Sequence, residues 1–147
     1  TFYKHFQDKY ELIEWVFEKN IKENIQVLID NNMEEEMFRL LCSCLEKERA
    51  FYKKLYAIQG PNSFEELMYQ YVFTIFLDLL NKYPLKSPDK LAALSKDAVA
   101  RFYAFGLTDS LRYWIMHDTE YTSEQLNEAY HYIIRCSILD LLEYPVP

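Results

Sequence analysis

The chain contains only two glycines, Gly60 and Gly106, and five prolines in 147 residues, so little in it interrupts a helix. Alternating polar and apolar runs bounded by turn dipeptides are missing, which removes the sequence basis for strands. What remains is apolar residues recurring at spacings of three and four, punctuated by side chains that cap helices. The expectation is an all-α fold, a bundle of about six helices in a chain one domain long.

Capping chemistry locates the helix starts. Asp8, with Glu11 three residues on, opens a long helix carrying Tyr10, Ile13, Val16, Phe17, Ile21, Ile25 and Leu28 and ending near Asn31 and Asn32. The acidic Glu34, Glu35 and Glu36 suit a second N-terminus, whose helix carries Phe38, Leu41, Leu45, Phe51 and Leu55 toward the stop at Gly60 and Pro61. Ser63 with Glu66 caps "FEELMYQYVFTIFLDLL", which is apolar on most sides and therefore enclosed. Ser87 and Pro88 predict a short connecting helix, Ser95 caps the next long one, and Thr122 with Gln125 opens a last helix running toward Pro145 and Pro147.

Charge and cysteine content exclude several classes. A formal net charge of −7 disfavours a nucleic-acid surface spread over the whole molecule, because phosphate contacts need clustered Lys and Arg. No run approaches a membrane span and no basic start leads into an apolar stretch, so a cytoplasmic protein without a membrane partner is expected. Cys42, Cys44 and Cys136 are odd in number and lack ligand spacing, so they read as free buried thiols, with no metal and no cofactor implied. The pair His117 and Asp118, with His131 further on, has no accompanying phosphate loop, nucleophile elbow or HExxH pattern. An enzyme is not expected, and His117 fits a helix C-terminus, where its cationic form meets the negative end of the dipole.

The first residues, "TFYKHFQDKYELIEWVF", raise a different question. Phe2 and Phe6 stand at i, i+4 with no partner in sight, while Tyr3, Lys4 and His5, with Lys9 just beyond, gather donors suited to phosphate oxygens. By themselves these residues fit a frayed, solvated end better than a phosphate-contacting one, because short charged clusters usually only face water. The stretch resembles the signature of TetR-family transcriptional regulators, in which a recognition helix ends in T-[LF]-Y-x-[HY]-F and a turn with Lys leads into the regulatory domain. Thr1, Phe2, Tyr3, His5, Phe6, Lys9, Glu11 and Leu12 match it with unbroken spacing. A looser similarity covers 102–126, where a glycine is followed by Trp114 and a polar turn into the last helix. The chain also resembles a subgroup that includes the dihydroxyacetone-kinase operon activators.

The resemblance implies that residues 1–8 are the C-terminal remnant of a helix-turn-helix DNA-binding domain and that 9–147 form a ligand-binding and dimerisation domain. It implies contacts from Thr1, Tyr3, His5 and Lys9, with Lys4 in the same cluster, to the backbone of operator DNA. It also implies a small-molecule effector pocket, for which the candidate rings are Phe51, Tyr52, Tyr56, Tyr69, Phe73, Phe76, Phe102, Tyr103 and Phe105. Plain core packing accounts for the same rings. The last two helices carry broad apolar stripes: Leu107, Leu111, Trp114 and Ile115 on one, and Leu126, Tyr130, Ile133, Ile134, Ser137, Ile138 and Leu141 on the other. In the family such helices pair with a twin into a four-helix bundle, so a homodimer is implied; a monomer would bury them internally. The alternative to an effector sensor is a helical interaction module that binds a co-regulator protein.

Overall fold

A computed structural model describes residues 6–86, 91–117 and 119–143, and all regular structure among them is helical. α1 (Lys9–Val16) widens into a π-helical turn at Phe17–Lys22 and continues as α2 (Glu23–Asp30), giving one continuous rod over 9–30. A 3-10 turn at Glu34–Glu36 leads into α3 (Met37–Lys47), followed by α4 (Arg49–Tyr56), α5 (Phe64–Leu80), α6 (Lys96–Met116) and α7 (Ser123–Ile133). With the rod counted once, the bundle has six helices. None of the described helices is long and apolar enough to cross a membrane.

The capping side chains act where expected. Asp8 accepts from the Glu11 amide at 2.9 Å, Ser63 from the Glu66 amide at 3.2 Å and Ser95 from the Ala98 amide at 3.0 Å. Thr122 and Gln125 form the full reciprocal box, whereas the Glu11 and Glu66 carboxylates reach one residue further back, to the amides of Gln7 and Asn62. The turn before α5 needs a left-handed residue, and Gly60 supplies it at φ 115° with the Tyr10 hydroxyl pressed against it.

α5 and α6 form the largest helix–helix interface. On α6 the buried residues Ala100, Ala104, Leu107, Leu111 and Trp114 recur at alternating four and three, and the two alanines let α5 close in. α5 answers with Phe64, Met68, Val72 and Ile75. Phe64 is fully buried and is packed by two α4 rings, Tyr56 at 4.9 Å and Tyr52 at 5.6 Å. The π turn is held from the same helix: Tyr71 lies edge-on to Phe17 at 5.6 Å, and its hydroxyl donates to the Lys22 carbonyl at 3.4 Å.

Four expectations change. α5 is not enclosed: Phe64, Met68, Val72 and Ile75 are buried, whereas Glu66, Gln70, Thr74 and Asp78 form an exposed polar stripe at every fourth position. The helix predicted from Glu34 through Leu55 breaks at Glu48, whose φ of −133° and ψ of 54° separate α3 from α4. Its neighbour Arg49 turns aside to donate to the Trp114 and His117 carbonyls at the end of α6. Ser87 and Pro88 lie outside the described residues, and 91–94, the described part of the predicted connecting helix, is a turn closed by the Leu94 amide on the Leu91 carbonyl. The last helix stops at Ile133, because Ser137 and Asp140 form a capping box of their own and start a separate 3-10 turn, Ile138–Leu141, on a stretch with little to pack against. Asp118, Pro145 and Pro147 also lie outside the described residues.

Phe64→Ala should lower the unfolding free energy by about 3–5 kcal/mol through the cavity it leaves, against about 1 kcal/mol for loss of the cap in Ser63→Ala. Urea melts of the two variants measure the ratio, and equal losses would show that the rings do not form the centre of the core.

Candidate functional site

α7 returns across α3 and leaves a concavity on each side of itself. One is a groove of about 790 Å³ between α6 and α7, lined by Phe102, Phe105, Gly106, Ile133 and Ile134 among others. The other is a cleft of about 710 Å³ bounded by the Glu34–Glu36 turn, the start of α3, Phe76 of α5 and the polar side of α7. Leu107, Tyr130 and Ile134 line both. Tyr130 is therefore a shared wall, and it is fixed there by stacking on Phe38 with ring centroids 3.9 Å apart.

The groove is apolar because the outer face of α6 carries large rings that the described residues leave largely uncovered. Phe102 is 77% exposed, Phe105 63% and Ile133 on α7 55%. Gly106 sits in the middle of this face, in a 21-residue helix, and a Cβ placed there would meet nothing within 4 Å. A mid-helix glycine costs about 0.5–1 kcal/mol relative to alanine. No packing among the described residues requires it.

The cleft combines an aromatic floor with an acidic rim. Phe38, Phe76 and Tyr130 supply rings, and Glu34, Glu35, Glu36 and Glu128 outnumber Arg39 and Arg135. Arg39 is engaged by Glu36 at 3.5 Å and Glu124 at 3.2 Å, and Glu34 pairs with Lys82 at 3.6 Å. Asn127 also lines the cleft; it is 1% exposed, and its Oδ1 has no hydrogen-bond partner among the described residues. A buried acceptor left unpaired costs about 1–3 kcal/mol. Burial pushes the Tyr130 phenol up to about 12, with Tyr103 adding to the effect, so it stays neutral.

The nine candidate rings do not close around one cavity. Tyr52 and Tyr56 belong to the core with Phe64, and Phe51 lies 5.4 Å from Tyr52 beside a second cleft that includes Trp15 and Arg49. Tyr69, Phe102, Tyr103 and Phe105 line the α6–α7 groove, Phe76 lines the acidic cleft, and Phe73 sits half-buried 6.2 Å from Tyr69. The pairing stripe divides as well. Leu107, Leu111, Trp114 and Ile115 are at most 1% exposed inside the chain's own core. Leu126 is buried and Tyr130 half-buried against α3, whereas Ile133, Ile134, Ser137, Ile138 and Leu141 are exposed. Thr1, Tyr3, Lys4 and His5 lie outside the described residues, and Lys9 is exposed at the start of α1 with its ammonium 5.4 Å from the Tyr10 ring centroid. His117 does end α6, stacked on Tyr113 at 3.9 Å. Cys42 is buried, and its thiol is pushed up to about 12, chiefly by burial. Among the described residues no group of three His, Cys, Asp or Glu side chains could hold a metal ion.

Sequence reasoning missed Asn127 and Arg49, and it noted Gly106 without placing it at the centre of an exposed face. Asn127 was findable, since Leu126 and Tyr130 define the inward arc of α7 and position 127 falls on its edge. Arg49 carried no local signal, because its partners lie 65 and 68 residues away.

Residues 32–136 match a family model, TetR_C_8, described as "Transcriptional regulator C-terminal region". No curated protein and no solved structure matches the chain.

Burial raises the phenols of Tyr56 and Tyr130 above their ordinary value of 10.0. The folded state then keeps two protons that the unfolded chain releases above about pH 10, so their contribution is intact below that pH and is lost as the pH climbs toward 12. Urea midpoints should therefore fall over this window, by up to about 1.4 kcal/mol per pH unit for each tyrosine. Tyr130→Phe should flatten the decline, and an unchanged slope would mean that Tyr130 is solvated.

Proposed function

The chain belongs to the C-terminal regulatory family of TetR-type transcriptional regulators, and from that premise we propose that it is the dimerising, effector-sensing part of a regulator that binds operator DNA as a homodimer. The observation that carries this reading is the outer face of α6 and α7. Phe102, Phe105 and Ile133 stand exposed around a long apolar groove, and Gly106 leaves the α6 surface low at its centre. A second copy related by a two-fold axis would bury these rings against their own equivalents, and the glycine would let the two α6 backbones approach closely.

Two-fold pairing gives the 9–30 rod its purpose. In this reading residues 1–8 end a DNA-reading element, with Thr1, Tyr3, Lys4, His5 and Lys9 touching phosphates, and the dimer sets the distance between two such elements. That distance must match half-sites about 34–36 Å apart or a multiple of it. An effector that prefers one arrangement of the sensor helices shifts the population toward it and so changes operator occupancy. The open, apolar character of the groove also suits a helical segment of a co-regulator protein, which is the second reading.

In the full-length protein Phe105→Asp should convert a dimer into a monomer by native mass spectrometry while leaving the far-ultraviolet dichroism unchanged, since the side chain is exposed. Operator affinity should fall at least about tenfold as the second half-site contact is lost. A wild-type protein that is monomeric alone and gains mass only with a second protein species would favour the co-regulator instead.

A further inference from the structure

Two concavities flank α7, and only one of them has an occupant in the reading above. We infer that the other, the cleft between the Glu34–Glu36 turn, α3 and α7, is the effector site, and that it takes a monocationic aromatic ligand whose charged N–H group donates to Asn127 Oδ1. This deepens the proposed sensing role and rests on it.

Three independent features converge on that chemistry. Asn127 is 1% exposed, lines the cleft and has an unpartnered acceptor. A native helix normally pairs such an oxygen or replaces it with an apolar group, so its retention points to a donor that arrives from outside. The floor is aromatic: buried Phe38 backs the half-buried Tyr130 ring at 3.9 Å, and Tyr130 and Phe76, which both line the cleft, are the rings within reach of a planar cation. The rim is acidic, and of its carboxylates Glu34 and Glu36 already hold Lys82 and Arg39, while Glu35 and Glu128 make no ion pair among the described residues. The volume, about 710 Å³, lies in the range of small-molecule sites. A carboxylate ligand would meet Glu35 and Glu128 against one rim arginine, Arg135, that makes no ion pair among the described residues, a balance that still repels it.

The site also has a route to the pairing face. Tyr130 lines both the cleft and the α6–α7 groove, so a ligand that shifts the Phe38–Tyr130 stack alters the wall against which a second copy would pack.

The test uses the full-length protein and three probes that share a ring system and differ in charge: 2-naphthamidine, 2-naphthamide and 2-naphthoate, titrated calorimetrically at low and high salt. The amidine should bind best, more weakly at high salt, and the carboxylate should not bind. Asn127→Leu should weaken the amidine at least about tenfold and should melt no lower than the parent, because it removes an unsatisfied buried oxygen; a purely structural asparagine would lower the melting temperature instead. If Asn127→Leu fails to fold, Glu128→Gln on the solvent-exposed rim decides, with an expected weakening of about two- to fivefold. Equal binding of all three probes, no binding of the amidine, or amidine binding untouched by the variant that folds would overturn the assignment. Native mass spectrometry of the same samples keeps the readings apart: a dimer that ignores the amidine sinks only the site, and a monomer that binds it sinks only the pairing.

Discussion

Trp114 is the point on which the arrangement of the last two helices depends. Its ring is 1% exposed, the Arg49 guanidinium lies over its face at 4.9 Å, and its indole Nε1 donates to the Tyr121 carbonyl at 3.3 Å. Arg49 also donates to the carbonyls of Trp114 and His117, two of the acceptors that a helix leaves unsatisfied at its C-terminus. A cation at that end is further favoured by the helix dipole. One residue pair therefore joins α4, the end of α6 and the turn into α7. It also fixes where α6 stops and hence the direction in which α7 comes back over α3.

That constraint makes α6 a helix with two working faces. The inner face, 100, 104, 107, 111 and 114, is filled by α5 and the core. The outer face keeps Phe102 and Phe105 in water, where each forgoes the roughly 1.5–3 kcal/mol that full burial of such a side chain returns. Scattered exposed apolar residues need no explanation, but contiguous rings around a groove do. Together with a glycine that packing among the described residues does not require, they are the observation on which the proposed pairing rests.

How much of this was legible in the sequence follows from the range of the interactions. Helix starts were readable because capping is local: Asp8, Ser63, Ser95 and Thr122 each bond an amide three residues on. The exposure of α5 was misread, because its high count of apolar residues hides the polar stripe Glu66, Gln70, Thr74 and Asp78, which faces water. The break at Glu48 was not, since it answers to Arg49 reaching the end of α6, and nothing near 48 interrupts the apolar period. The division of α6 into inner and outer faces was only half readable. Leu107, Leu111, Trp114 and Ile115 form a stripe wide enough for either assignment, and what decides between them is how α5, α4 and α3 pack on α6, a tertiary arrangement that the local pattern does not encode. The ring candidates failed to converge for the same reason: composition counts aromatic residues but carries no information on which of three surfaces each will face.

Signal transmission in the proposed reading is then a question of which contacts have two arrangements. The core around Phe64 is close-packed, and interiors of that kind resist graded deformation. The candidates for movement lie where the helical hydrogen bonding departs from the α pattern or where one stacked pair makes the contact: the π turn at Phe17–Lys22 in the rod, where Tyr71 donates to the Lys22 carbonyl and Asn20 to the Tyr52 hydroxyl, and the Phe38–Tyr130 stack at the edge of α7. A ligand can shift an equilibrium only by its differential affinity for the two states, so a preference of about 1–3 kcal/mol changes operator occupancy by about 5- to 150-fold at most. Rearranging one stacked aromatic pair, worth about 0.5–1.5 kcal/mol beyond its buried area, falls in that range, whereas repacking Trp114 would exceed it. In that reading the cheaper hinge is at Tyr130, with Trp114 as the fixed end against which it would turn.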